Sequence, residues 1–274
     1  MRALSDSERK IPLRKALLYV FLSVCLIWGI SWLVWWYRSW RLQEQRSNPL
    51  YSITTIIQTC SRHPLQTWQL AELLDLSHDE RTNLYSFDTA LGRQRLLACP
   101  AIKRAEVRKM RPGIVHIEYA TREPKVLIAD YENMACDEKG FIFPLFPYFS
   151  PKLLPEVYLG SKATTEEIAW NRELRSEKLD LAFAAIDYVS SHFPASWRVT
   201  RVDVHKAFAL SAGEREMVLL LEKSGQRCFV RLHPRGFERN LRLLLQLQPE
   251  LEKMSQMVEI VDLRSPGIVL VKSL

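Results

Sequence analysis

Between Ala16 and Tyr37 the chain runs 22 residues, ALLYVFLSVCLIWGISWLVWWY, without one charged side chain. As a helix rising about 1.5 Å per residue it spans about 33 Å, enough to cross a hydrocarbon core of about 30 Å. Trp32, Trp35, Trp36 and Tyr37 gather at its C-terminal end, where a membrane–water interface favours amphipathic rings. A cleaved signal peptide would have a shorter apolar run ending in small residues, whereas this one ends in Trp-Trp-Tyr-Arg. Arg2, Arg9, Lys10, Arg14 and Lys15 precede the run, and Arg38, Arg41 and Arg46 follow it. The positive-inside bias then puts residues 1–15 in the cytoplasm and the bulk of the chain outside, a single-pass protein integral to the membrane.

The outer part has the composition of a folded protein. Of 274 residues, 47% are hydrophobic and 25% charged, and only 9 are glycine, which excludes collagen-like and low-complexity classes. The net charge of +7 is modest and its cations are scattered among Asp and Glu. A nucleic-acid binder would concentrate them on one face or helix, so no nucleic-acid partner is expected. Cys25 lies in the apolar run; Cys60, Cys99, Cys136 and Cys228 lie beyond it, where disulfides are permitted. Their pairing, or their persistence as buried thiols, stays open.

Residues 38–50 are polar, end in Asn48-Pro49 and read as a linker. Tyr51–Thr59 is rich in β-branched residues and predicts a strand. Leu65, Trp68, Leu70, Leu73, Leu74 and Leu76 recur near helical spacing. A second helix is predicted from Asp88, an N-cap, to Pro100, a stop. Ala105 and Val107, then Val115, Ile117 and Tyr119, alternate with polar residues, predicting a hairpin. Its turn is Arg111-Pro112-Gly113, with Pro112 fixing φ and Gly113 tolerating a positive φ. Further on, short strands are predicted at 125–129 and 140–143, and a proline-punctuated loop reaches Gly160. A helix follows over 173–192 with Leu174, Leu181, Ala185 and Tyr188 on one stripe. Strands are then predicted at 197–204, 217–221 and 228–232, a Leu-rich helix at 237–253, and a closing hairpin through 258–272. In that helix Phe237, Leu241, Leu244, Leu245 and Leu251 read as core, as do Trp68 and Trp197.

Motifs of catalysis are missing: no Gly-x-Ser-x-Gly, no His-Glu-x-x-His and no phosphate loop. His63, His78, His116, His192, His205 and His233 show no ligand-like spacing. No catalytic residue, metal, cofactor or small-molecule substrate is therefore expected.

Two segments carry a family likeness. In DTALGRQRLLACPAIKRAEVRKMRPGIVHIEYATREPKV, residues 88–126, the Cys99-Pro100-Ala101-Ile102 corner, Arg111-Pro112 and Arg122-Glu123-Pro124 recur in order. In residues 229–272 an Arg-x-x-Arg-like helix start leads to Val261-Asp262-Leu263-Arg264. Between them stand Cys136-Asp137-Glu138-Lys139-Gly140 and Leu154-Pro155-Glu156-Val157-Tyr158-Leu159-Gly160. Together, behind an apolar anchor, these resemble the FtsQ/DivIB family of bacterial cell-division proteins. Two positions depart from it. Thr59-Cys60-Ser61-Arg62 replaces a Gly-Asn turn, and Ser265 replaces an aromatic that commonly follows Asp-Leu-Arg.

The resemblance implies an α+β protein with a cytoplasmic tail (1–15), a transmembrane helix (16–37), a linker (38–50), a βααββ POTRA module (51–122) and a mostly antiparallel β domain with flanking helices (123–274). It implies a non-enzymatic divisome scaffold in the inner membrane, with its folded part in the periplasm. FtsB/FtsL-like bitopic proteins would dock at its C-terminal β edge, and other divisome components would meet the transmembrane helix and the POTRA module. Septal peptidoglycan synthesis would be controlled through those contacts. The docking residues carried over are Arg264, Ser265, Gly267, Ile268, Val269, Leu270 and Val271, with Arg215 at the start of the neighbouring strand. Ile268–Val271 has two placements by pattern: a central strand covered on both faces, or an edge awaiting a partner strand. The alternatives are a membrane-anchored extracytoplasmic enzyme of cell-wall metabolism, or an outer-membrane assembly factor, for which the β-barrel is missing.

Overall fold

The computed structural model describes residues 13–77, 79–150, 153–160, 170–253, 258–265 and 267–273. Helix α1, Leu13–Ser47, is a continuous rod of 35 residues. Its apolar side chains from Leu17 onward point outward, Trp28 being 77% exposed. Residues 38–47 are thus helical, not the connector that their polarity suggested. Arg, Leu, Gln and Glu are good helix formers, and no Gly or Pro interrupts them. Pro49 disfavours helical backbone at Asn48, and the Asn48 side chain instead accepts from Leu50 N (2.9 Å) to open a 3₁₀ turn over Pro49–Tyr51. The first strand accordingly begins late.

A small unit follows: β1 (Thr55–Cys60), α2 (Thr67–Leu73), α3 (Thr89–Ala98), β2 (Ile102–Met110) and β3 (Ile114–Thr121). Its sheet has the order β1-β3-β2, with β1 parallel to β3 and β2 antiparallel to it. Asp88 caps α3 as anticipated, accepting from Ala90 N (2.8 Å) and Leu91 N (3.4 Å). Val115, Ile117 and Tyr119 point into the core beneath Leu70 and Leu96. The Tyr119 hydroxyl accepts from Leu65 N and donates to Gln58, both at 2.7 Å, so its buried polar end is satisfied. Trp68, expected in this core, is 60% exposed. It lies two residues before buried Leu70, about 200° around the helix. Gly113 also differs from expectation: its φ is not positive, but a Cβ there would sit 2.2 Å from Ser52 O. Its role is close approach.

The second unit is one mostly antiparallel sheet of nine strands, ordered β12-β11-β10-β9-β8-β7-β4-β5-β6. Its strands are β4 (Val126–Ile128), β5 (Met134–Cys136), β6 (Ile142–Pro144), β7 (Glu156–Tyr158), β8 (Trp197–Asp203), β9 (Met217–Lys223), β10 (Gln226–Leu232), β11 (Val258–Asp262) and β12 (Leu270–Ser273). Helices α4 (Glu177–His192) and α5 (Phe237–Lys253) share the apolar core with it. The core joins Leu179, Ala182 and Val189 of α4 with Val202, Leu219, Leu221, Val230 and Val261 of the sheet. Phe237, Leu241 and Leu244 of α5 are buried there, with Leu245 and Leu251 packed alongside, as their spacing indicated. Trp197 packs against the same core, edge-on to Phe193. Helix α4 starts at Glu177, four residues late, because Leu174 N is bonded to Gly140 O (2.9 Å). Strands β5 and β7 have no counterpart in the sequence reading. Each is three residues long, and β7 lies within the supposed loop, paired in parallel with both β4 and β8.

The two units are joined by a buried ion pair. Arg122, just after β3, and Asp137, just after β5, are 7% and 6% exposed. Arg122 Nη1 donates to Asp137 Oδ2 (3.1 Å), Arg122 Nε donates to Pro100 O (3.0 Å), and the guanidinium covers the Phe141 ring at 3.9 Å. Asp137 Oδ1 accepts from Lys139 N (3.0 Å) and Phe141 N (2.9 Å). Removing one member strands the other charge without water, so Arg122→Ala is expected to lower unfolding stability by about 3–5 kcal/mol, read by urea denaturation. A loss below about 1 kcal/mol would show a wetter, weaker pair.

All five cysteines are thiols. Burial pushes the Cys136 thiol up to about 12 and also raises Cys99. In the folded protein both are expected to resist maleimide while half-buried Cys60 reacts, and to react once denatured; mass spectrometry reads the difference.

Candidate functional site

The candidate site is the end of the sheet that α5, β11 and β12 build. Helix α5 carries the chain from β10 to β11, and β11 pairs in parallel with β10 through Phe229↔Ile260, Val230↔Val261 and Arg231↔Asp262. The Asn240 side chain donates to Leu263 O (2.9 Å), fixing the strand exit against the helix. Beyond the exit, Gly267 adopts φ +79, a conformation that costs glycine nothing, and Ile268 N bonds to Ser265 O (3.4 Å). Pro266 lies outside the described residues. The chain then returns as β12, antiparallel to β11 with Val261↔Val271 and Asp262↔Leu270.

The predicted docking residues separate by exposure. Ile268 and Leu270 are 56% and 62% exposed, and Ser265 and Gly267 are also open. Val269 and Val271 are half-buried, Val269 packing on the core. Strand β12 ends the sheet order, so among the described residues only β11 pairs with it. Of the two placements open to Ile268–Val271, the chain adopts the edge. The strand is also shorter than expected, since Ile268 and Val269 precede its ladder.

Arg264 is no lone surface cation. Its Nε and Nη2 donate to Asp262 at 3.0 and 2.8 Å, its backbone N donates to the same carboxylate (3.1 Å), and Nη1 reaches Glu216 Oε2 (3.2 Å). Arg231 Nη2 meets Glu216 Oε2 at 2.5 Å, and its Nη1 lies 3.4 Å from Asp262. Two cations and two carboxylates therefore clamp the ends of β10 and β11 to the residue before β9. Asp262 stands only two positions before Arg264, whereas Glu216 and Arg231 carry no signal in the neighbouring sequence. They lie 15 or more positions from their partners, and only the sheet register unites them.

Arg215 must be repositioned. It precedes β9, which β10 and β11 separate from β12, so it does not start a neighbouring strand. Its Nε instead donates to Ala209 O (2.8 Å), bracing the 206–216 loop. That loop exposes Phe208 (49%) and Leu210 (101%) beside the clamp residue Glu216. Phe208-Ala209-Leu210, an apolar triplet within a turn, was the available signal for them. Among the described residues no group of three or more His, Cys, Asp or Glu is placed to hold a metal.

Burial alone would push the Asp262 carboxyl up. Arg264, by hydrogen bonds and charge, and then Arg231 outweigh this and leave it below its ordinary value of 3.8. A depressed folded pKa stabilises fully above the unfolded value and loses that stabilisation as pH falls through the folded one. Arg264→Ala is thus expected to cost about 1 kcal/mol at neutral pH and progressively less in acid, as measured by urea unfolding across pH. A cost unchanged in acid would exclude the charged clamp. Set against known proteins, the chain matches no family model and no curated protein.

Proposed function

We propose that this chain is a single-pass scaffold of the FtsQ/DivIB kind in the bacterial divisome, without catalytic activity of its own. The open β12 edge, with Ile268 and Leu270 exposed beside the Arg264 clamp, is the observation that carries the reading. An unpaired edge is an aggregation hazard unless it is covered, and a partner strand covers it with backbone hydrogen bonds while alternate side chains set specificity. The occupant is an FtsB/FtsL-like bitopic protein. The clamp holds β11 in place so that β12 presents its outer side.

Other features support the reading. Helix α1 is long and apolar enough to cross a membrane. The βααββ order with sheet order β1-β3-β2 suits a POTRA module that recruits other divisome components. Arg122 and Asp137, two residues of the family-like motifs, meet as the ion pair between the units. In this reading the short N-terminal segment is cytoplasmic and both folded units are periplasmic.

Photo-crosslinking from positions 268–272 in growing cells tests it. Adducts to a small coiled-coil membrane protein are expected from exposed Ile268, Leu270 and Lys272 and not from half-buried Val271. Deleting residues 266–274 is expected to abolish co-purification of that partner with the chain, without affecting membrane extraction or the first unit. Partner binding that survives the deletion would sink the docking assignment.

A further inference from the structure

The foot of α1 and the tip of the β2–β3 hairpin form one surface. The Asn83 side chain donates to Gln45 O (3.1 Å) and Asn48 O (3.2 Å) at the last turn of α1, where carbonyls lack helical partners. Ser52 and Asn83 form a β-bridge, and Tyr51 meets Tyr85 edge to face at 5.0 Å. The Arg111 guanidinium lies 5.6 Å over Tyr85, and Thr54 N donates to Gly113 O (3.0 Å). These contacts hold the hairpin tip against the helix, so the small unit does not swing on a flexible tether.

This surface is cationic and partly apolar. Arg46, Lys109 and Arg111 are exposed on it, with Leu50 74% and Met110 46% exposed. Partial burial holds the Lys109 ammonium below its ordinary value against the opposing pull of Asp88, with a smaller contribution from the charge of Arg46. Asp88 attracts Lys109, but its carboxylate also accepts from Ala90 N and Leu91 N at the start of α3, and the three exposed cations outnumber it. Arg108 is excluded, being paired with Glu106 at 2.7 Å.

Its depth identifies the occupant. Residues 38–47 raise the chain about 15 Å beyond Tyr37. Headgroups occupy about 5–8 Å of that, so long side chains at the foot of α1 lie within about one Debye length of the lipid phosphates. We propose that Arg46, Lys109 and Arg111, flanked by Leu50 and Met110, dock on the anionic phospholipid headgroups of the membrane that α1 crosses. The inference rests on α1 as a membrane span, and is independent of what pairs with β12. Docking fixes the tilt of the small unit, and through Arg122–Asp137 the direction in which the large sheet extends.

The full chain in phosphatidylcholine nanodiscs, with and without phosphatidylglycerol, provides the test by amide hydrogen exchange. Amides of 109–111 and 113 are expected to exchange more slowly in the anionic discs, by roughly five-fold for each cation engaged. High salt removes the effect, as does the Arg46→Glu/Lys109→Glu variant, whose substituted side chains are exposed, while protection of 115–119 in the core stays unchanged. Equal exchange in both discs, or slowing that survives charge reversal, overturns the proposal. Slowing by added polyglutamate without a lipid effect overturns it in favour of an acidic protein partner. Failure of the chain to enter either disc overturns the membrane span instead, and the docking with it.

Discussion

The Arg122–Asp137 pair determines how the two halves of this protein sit on each other. A charge so far from water is tolerated only when its partners are complete, and here they are. The guanidinium has the carboxylate, a carbonyl and an aromatic face; the carboxylate has two backbone N–H donors besides. The pair sits where β3 leaves the first sheet and β5 turns toward β6. Around it Ala135, Phe143 and Phe149 from the second unit join the apolar core of the first. Rotating one unit against the other would expose that shared core and break the pair together.

A rigid chain of contacts therefore runs the length of the molecule. Helix α1 is held to the small unit by Asn83, and the small unit to the large sheet by Arg122 and Asp137. The sheet carries that direction to β12. Its two ends differ in kind. At one end β6 contributes Phe143 to the core of the first unit and is covered by it. At the other, the outer side of β12 meets no strand among the described residues. In the proposed scaffold this asymmetry directs one edge inward for stability and the other outward for a partner.

The clamp of Glu216, Arg231, Asp262 and Arg264 gives the outward edge its stiffness. A terminal hairpin pairs through few hydrogen bonds and would fray by itself. Tying the ends of β10 and β11 to the residue before β9 spreads any displacement of β12 over the best-packed strands. The groups are partly exposed, so each pair contributes modestly, and the benefit lies in fixing geometry.

Local chemistry was legible in the sequence. The length of the apolar run, the cap at Asp88, the alternation of Val115, Ile117 and Tyr119, and the limits of α5 each follow from neighbouring residues, whose spacing sets which face is apolar. Short elements were not: β5 and β7 are too brief to show a period and exist because longer strands flank them. Trp68 read as core by composition and is exposed by helical phase. Gly113 does lie in the predicted turn, but what requires glycine there is its close approach to Ser52, not a positive φ. Tertiary structure alone decided that Ile268–Val271 lies at an edge, and that Glu216 and Arg231 join Asp262 and Arg264. Strand order and register depend on contacts between distant residues, and a pattern of nearest neighbours carries no information about which distant strand will lie alongside.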